Sequence, residues 1–204
     1  AKNRNDEVKL SGAPHKIVEE DPSLAFEARG ETHELLLKGQ GEMHIKVAVD
    51  KLAGRYNVAV ETAPPRVAYR ETIQAGTQKH ARYKRQTGGH GQFGHVVIDI
   101  EPAERGAGFV FENGVVGGII PKEFIPSVEK GIREAMTRGV LAGYPLIDVK
   151  VRLHYGSYHE VDSSELAFKI AGSMVFKEAA RKAGPVLLEP MMAVEVTTPE
   201  DFMG

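Results

Sequence analysis

The sequence has no cysteine. Disulfide staples, thiolate nucleophiles and cysteine-ligated metals are therefore excluded, and a cytoplasmic location is the expectation. No apolar run approaches the ~18 residues of a membrane span, and no basic-then-apolar stretch of the signal-peptide type opens the chain. Nor is there a surplus of charge: 26 Lys and Arg against 28 Asp and Glu leave −2 at pH 7. Affinity for a polyanion must then come from local clustering. The phosphate-loop pattern GxxxxGK[ST] does not occur, and no two histidines stand four apart, so neither that type of nucleotide loop nor a helical metal site is expected.

What is present is an ordinary globular composition, 42% hydrophobic and 26% charged over 204 residues, enough for two small domains. Residues 6 to 20 place Leu10, Ala13 and Ile17 on one helical face, and Asp21-Pro22 breaks that helix. LAFEAR (24 to 29) and ELLLKG (34 to 39) read as a hairpin. A second helix fits 41 to 56 through Ile45, Val49, Leu52 and Tyr56, and VAVETA (58 to 63) reads as a further strand closed by Pro64-Pro65. This order suggests a small α+β sandwich whose first strand is cut short, with AKNRN as its remnant.

After the double proline the pattern is strand-rich: 66 to 73, 79 to 87, 95 to 102 and 108 to 115. A helix spans 121 to 138, carrying Ile125, Val128, Ile132 and Met136 and stopping at Gly139. LIDVKVRLHY (146 to 155) is another strand. The most regular helix runs from 163 to 183: Asp162 caps it, Glu165 is the reciprocal partner, and Leu166, Ile170 and Met174 form its buried stripe. The final residues, VLLEPMMAVEVTTPEDFMG, read as a strand and an unfinished helix.

Residues 72 to 98 hold Lys79, Arg82, Lys84, Arg85 and three histidines, with no acid. On a strand Arg82 and Lys84 share one face while Lys79 and Arg85 share the other. Either that stripe meets phosphates or it guards an edge strand against aggregation. Next to it lies GGHGQFGH, residues 88 to 95, which matches GxGxxG at Gly89, Gly91 and Gly94. The dinucleotide reading needs a following helix to receive the pyrophosphate, whereas VVIDI follows and reads as a strand. A hairpin tip is the better assignment, and its glycines let a backbone approach a crowded polymer closely.

A second polar cluster, YGSYHEVDSSE (155 to 165), sits between a strand and a capped helix. His159, Asp162 and Ser163 are the residue types of a nucleophilic triad, but they crowd into five consecutive positions, and a triad is a geometry built across elements. His154, His159 and Glu160 lack metal-site spacing. Plain capping accounts for Asp162, yet a second glycine-flanked, histidine-bearing loop at an element end is where binding residues often sit.

RQTGGHGQFGHV, GGIIPKEFIPSVEKGI, GSYHEVDSSELAFKIAGSM and LEPMMAVEVTTPEDFMG resemble translation elongation factor G, and EEDPSLAFEARG with KGQGEMHIKVAVDKL resembles its third domain. The resemblance implies an α+β chain in three parts. Residues 1 to 67 are a ferredoxin-like domain III lacking its first strand, and 68 to 188 a ribosomal-protein-like domain IV with a left-handed βαβ crossover. Residues 189 to 204 are the start of domain V. GTP and Mg2+ are expected in a GTP-binding domain outside this segment, which itself has no cofactor, no metal and no catalysis of its own. The family hydrolyses GTP on the ribosome, and domain IV enters the small-subunit decoding site as tRNA and mRNA advance by a codon.

By motif position, Gly88, Gly89, His90, Gly91, Gln92, Phe93 and Gly94 form one contact loop. Ser157, Tyr158, His159, Glu160 and Asp162 form the other, and Gln92 and His159 are the foremost contacts with the codon–anticodon duplex. Archaeal and eukaryotic counterparts modify a histidine at the position His159 resembles. Lys79, Arg82, Lys84 and Arg85 are then RNA-backbone contacts. The implied partners are ribosomal RNA, tRNA and mRNA, with no membrane, and the protein is a cytoplasmic monomer. Where His90 and Phe93 stand, the common pattern has arginine and tyrosine, and KHARYKR is unusually basic; these features resemble a divergent second type of the factor, with a recycling or specialised role. A generic RNA-binding module is the remaining alternative.

Overall fold

The computed structural model describes residues 7–30, 32–86, 89, 91–195, 197–199 and 201. Two compact units divide the chain, Ala1–Ala68 and Tyr69–Gly204. The proposed strand remnant AKNRN, along with Gly88, His90 and Phe202 to Gly204, lies outside the described residues.

The first unit is built in the order α1 (Glu7–Glu20), β1 (Ala25–Arg29), β2 (Glu34–Lys38) and α2 (Glu42–Tyr56). Its helices supply Ala13, Ile17, Ala48 and Leu52 to one core, which Leu24 and Val58 complete. The end of α1 is fixed chemically. Asp21 Oδ1 accepts from the backbone N–H of Ser23 at 3.1 Å and from its hydroxyl at 2.5 Å. Its Oδ2 accepts from His44 Nε2 at 2.9 Å, and His44 Nδ1 accepts from Gln40 N at 3.1 Å. Those bonds, the Ser23 hydroxyl first and His44 next, hold the Asp21 carboxyl down at about 2.

The expected strand at 58 to 63 does not form. β1 and β2 pair only with each other, from Ala25↔Lys38 to Arg29↔Glu34. Val58 is fully buried and Val60 packs against the same core, so the alternation at these valines reflects burial of an extended segment with no ladder beside it.

The second unit contains β3 (Arg70–Ile73), β4 (Thr77–Arg85), β5 (Gln92–Pro102), β6 (Phe109–Asn113), α3 (Ile125–Met136), β7 (Val149–Ser157), α4 (Glu165–Lys182) and β8 (Pro185–Leu188). One sheet has the order β4-β5-β7-β6, and β3 pairs with β8 in a separate antiparallel ribbon. Within the larger sheet β6 and β7 are parallel, joined through α3, and the other pairings are antiparallel. Val96, Ile98 and Ile100 of β5 and Val149, Val151 and Leu153 of β7 face a core closed by Val128, Ile132, Phe168, Val175 and Phe176 of the two helices.

Three expectations are corrected here. The strand from 66 shortens to β3, since Arg66 to Tyr69 has no ladder partner. β7 starts at Val149 because Asp148 turns into the left-handed region (φ 56°) while its carboxylate accepts from Gly108 N at 2.8 Å. The expected stripe on α4 faces the wrong way: Leu166 is 54% exposed and Met174 38%, and the buried face is instead Ala167, Phe168, Ala171, Val175 and Phe176. Small residues on that face admit α3 so closely that a Cβ at Gly131 would overlap the Lys169 carbonyl oxygen. Beyond β8 the described tail residues enter no ladder.

Candidate nucleic-acid interface

The two glycine-flanked loops are separated by about 70 positions in sequence yet meet at one end of the sheet. Gly91 N donates to Asp162 Oδ1 at 2.9 Å, and Phe93 N donates to the Asp162 carbonyl oxygen at 2.7 Å. The Ser163 hydroxyl donates to the Phe93 carbonyl at 3.0 Å and accepts from His159 N at 2.9 Å. Backbone and side chains thus zip the loops into a single tip. Two of the glycines are needed for this approach rather than for a phosphate. A Cβ on Gly91 would meet the Asp162 carboxylate at 2.9 Å, and one on Gly94, already inside β5, would meet the Ala167 carbonyl oxygen at 2.9 Å.

Asp162 does not cap α4, contrary to expectation. Ser164 does, its hydroxyl accepting from Ala167 N at 3.2 Å, and Glu165 is the helix's first residue, too early for a reciprocal cap. Asp162 is instead the clasp between the loops.

His159 stands at the tip with its side chain 59% exposed, 6.5 Å from the Phe93 ring centroid and 3.6 Å from Asp162 Oδ2. Its Nδ1 faces Val161 N and Asp162 N at 3.4 Å. The Ser163 hydroxyl proton goes to a backbone carbonyl, so Ser163 and the imidazole are not a nucleophile and base. Gln92 is half-buried, its Oε1 accepting from Tyr83 OH at 2.9 Å, which settles which end of the carboxamide donates outward. Tyr158 is 43% exposed, Glu160 is exposed and Ser157 half-buried, all on the same loop. Among the described residues no three His, Cys, Asp or Glu side chains cluster as a metal site would require.

The basic residues divide as strand alternation dictates. Arg82 pairs with His95 and Lys84 with Phe93 on the open face of the sheet, while Lys79 lies on the helix side, where the Lys182 ammonium beside it pushes its own ammonium below the ordinary lysine range. Arg85 is exposed at the strand end, beside the tip.

Other residues at this end carry no signal of their own in sequence. His95 is 9% exposed and shares a 3.0 Å hydrogen bond with the Ser157 hydroxyl. Burial, then Arg82 and His80 beside it, pushes the His95 imidazole below its ordinary value. Tyr155 reaches the open face because His154 is the extra residue of a bulge opposite Val97 and Ile98, which reverses the inward and outward order of β7. Only the pairing register brings these side chains together.

Two family models match residues 1–184 between them: "Elongation Factor G, domain III" over 1–64 and "Elongation factor G, domain IV" over 65–184. A crystal structure of a Thermus thermophilus protein superposes with a TM-score of 0.78 at 48% sequence identity, over 91% of this chain and 28% of that one. The chain therefore spans under a third of that relative's length. No helix among the described residues is long and apolar enough to cross a membrane. With the domain IV model matching well over half of the chain and the domain III model the segment before it, the chain belongs to the elongation factor G family.

Proposed function

We propose that this chain is the part of a ribosomal translocase that engages the decoding site, its tip lying against paired tRNA and mRNA while the full-length protein hydrolyses GTP, with Mg2+, in a domain outside this segment. The observation that supports this reading most is the clasp of Asp162 to Gly91 and Phe93, which makes one rigid probe of two loops. A probe that must serve every codon needs short polar groups able to reach ribose hydroxyls and minor-groove edges without preferring a sequence. The Gln92 amide and the exposed His159 imidazole supply them, and Arg82, Lys84 and Arg85 supply positive charge nearby. On this reading the protein acts as a cytoplasmic monomer and the segment performs no bond chemistry.

The test is pre-steady-state translocation by the full-length protein carrying Gln92→Ala and His159→Ala. Each substitution is expected to slow tRNA–mRNA movement about tenfold or more, the order of one or two lost hydrogen bonds, with ribosome-stimulated GTP hydrolysis retained. Unchanged translocation in both variants would sink the assignment.

A further inference from the structure

The open face of the four-stranded sheet divides into two halves of different character. Toward the base, charges are neutralised internally. Lys150 bridges Glu101 at 3.0 Å and Glu112 at 3.1 Å, and Asp99 accepts from Gln78 at 2.8 Å with the His154 ring 3.0 Å away. Toward the tip the register sets three rows with no carboxylate: Lys84 beside Phe93, Arg82 beside His95, and His80 beside Val97 with Tyr155 beyond. Among the described residues no acid pairs with Arg82 or Lys84.

The ring side chains of this half form a continuous series. His80 and His95 meet edge to face at 6.1 Å, and His95 and Tyr155 meet in the same manner at 6.2 Å, with Tyr155 50% exposed. Along β4 the cationic side chains recur every second residue, about 6.7 Å apart, close to the span of one nucleotide's backbone. Burial, then Arg82 beside it, disfavours the charged form of His95, whose ring lies between those of His80 and Tyr155.

We infer that this half-face is a second RNA surface, adjoining the tip and sharing Arg82 and Lys84 with it, that takes an unpaired strand: phosphates along Lys84 and Arg82, and bases or riboses against the exposed rings of His80 and Tyr155. The inference rests on the reading that this unit works on RNA, but not on what the tip does. The exposed rings of His80 and Tyr155 can stack splayed bases, whereas a duplex keeps its bases inside and offers such a face only phosphates. The unpaired strand is therefore the occupant that uses both the charge and the rings.

The test is an amide-shift NMR titration of the chain at low salt, with a uridine decamer and, separately, a ten-base-pair RNA duplex. The decamer is expected to shift the amides of β4, β5 and β7 beside these rows and to bind at least fivefold more tightly than the duplex. Arg82→Gln with Lys84→Gln should weaken decamer binding at least fivefold and flatten its log–log salt slope by about 1.4, two phosphates' worth. Tyr155→Leu should weaken binding to a similar degree with the slope unchanged. All three positions are solvent-exposed, and the variants' spectra report directly whether the fold is kept. Shifts confined to the two tip loops, equal affinity for the duplex, or no binding would overturn the inference while leaving the tip assignment to its own assay.

Discussion

At the residue scale, Glu71 is the most constrained group in the second unit. It is fully buried, and its carboxylate accepts four backbone N–H bonds: Val140 at 2.7 Å and Leu141 at 2.9 Å on one oxygen, Ala142 at 2.7 Å and Tyr144 at 3.1 Å on the other. Burial alone would raise its pKa, but the four donors together outweigh burial and hold it below the ordinary carboxylate value. The folded form thus binds its proton less readily than the unfolded chain, so the stabilisation is complete above the ordinary value near 4.5 and fades as pH falls through the folded value. Glu71→Gln keeps the volume but replaces an acceptor of four bonds with a group that brings its own N–H donors into their midst. A loss of about 2–3 kcal/mol is expected in urea unfolding at pH 7, shrinking toward pH 3. A loss that stays equal at both pH values would mean that charge is not what Glu71 contributes. In sequence Glu71 looks like any strand glutamate, because its partners lie about 70 positions away.

At the scale of elements, local chemistry is the best guide and facing is the worst. The helices are readable from period and punctuation, and most strands from alternation, since both reflect chain-local sterics. The face of α4 is not: its stripe of large residues looks like the core side, but close packing against α3 selects the side with alanines and glycine. Asp162 is legible as a functional acid in the right loop yet resembles a cap, since capping is visible within four residues and a clasp to Gly91 is not. The helix contact carries its own prediction. By helix propensity alone Gly131→Ala would stabilise by about 1 kcal/mol. The close approach of the Lys169 carbonyl reverses the sign, with overpacking of a backbone contact costing about 3 kcal/mol or more. The urea midpoint of the second unit should therefore fall.

At the scale of the whole molecule, two separate cores imply two separable transitions. Ile17→Ala removes a fully buried side chain from the first core, worth about 2–5 kcal/mol, and should lower the urea midpoint of amide signals from residues 7–60 alone. Co-unfolding of both sets of signals in parent and variant would show that the units are one cooperative body. The α+β class and the motif-bearing loops are legible at this scale because residue order and motifs suffice for them. The bulge at His154 and the rows on the open face are not, because they depend on register.

The β3–β8 ribbon adds a mechanical consequence. Arg70 pairs with Leu188, so the start of the second unit and the connection into its C-terminal tail lie at the same end of an antiparallel pair. Tension applied across those two connections loads the ribbon as a zipper, one pair of bonds at a time, while the larger sheet stays outside the line of force. After the single Arg70–Leu188 pair the opening fork reaches Glu71, whose backbone is held to Pro145 and Ile147 at 2.8 Å and whose carboxylate is held by four amides. Glu71 is thus the rip-stop of the unit, set one residue inside the seam.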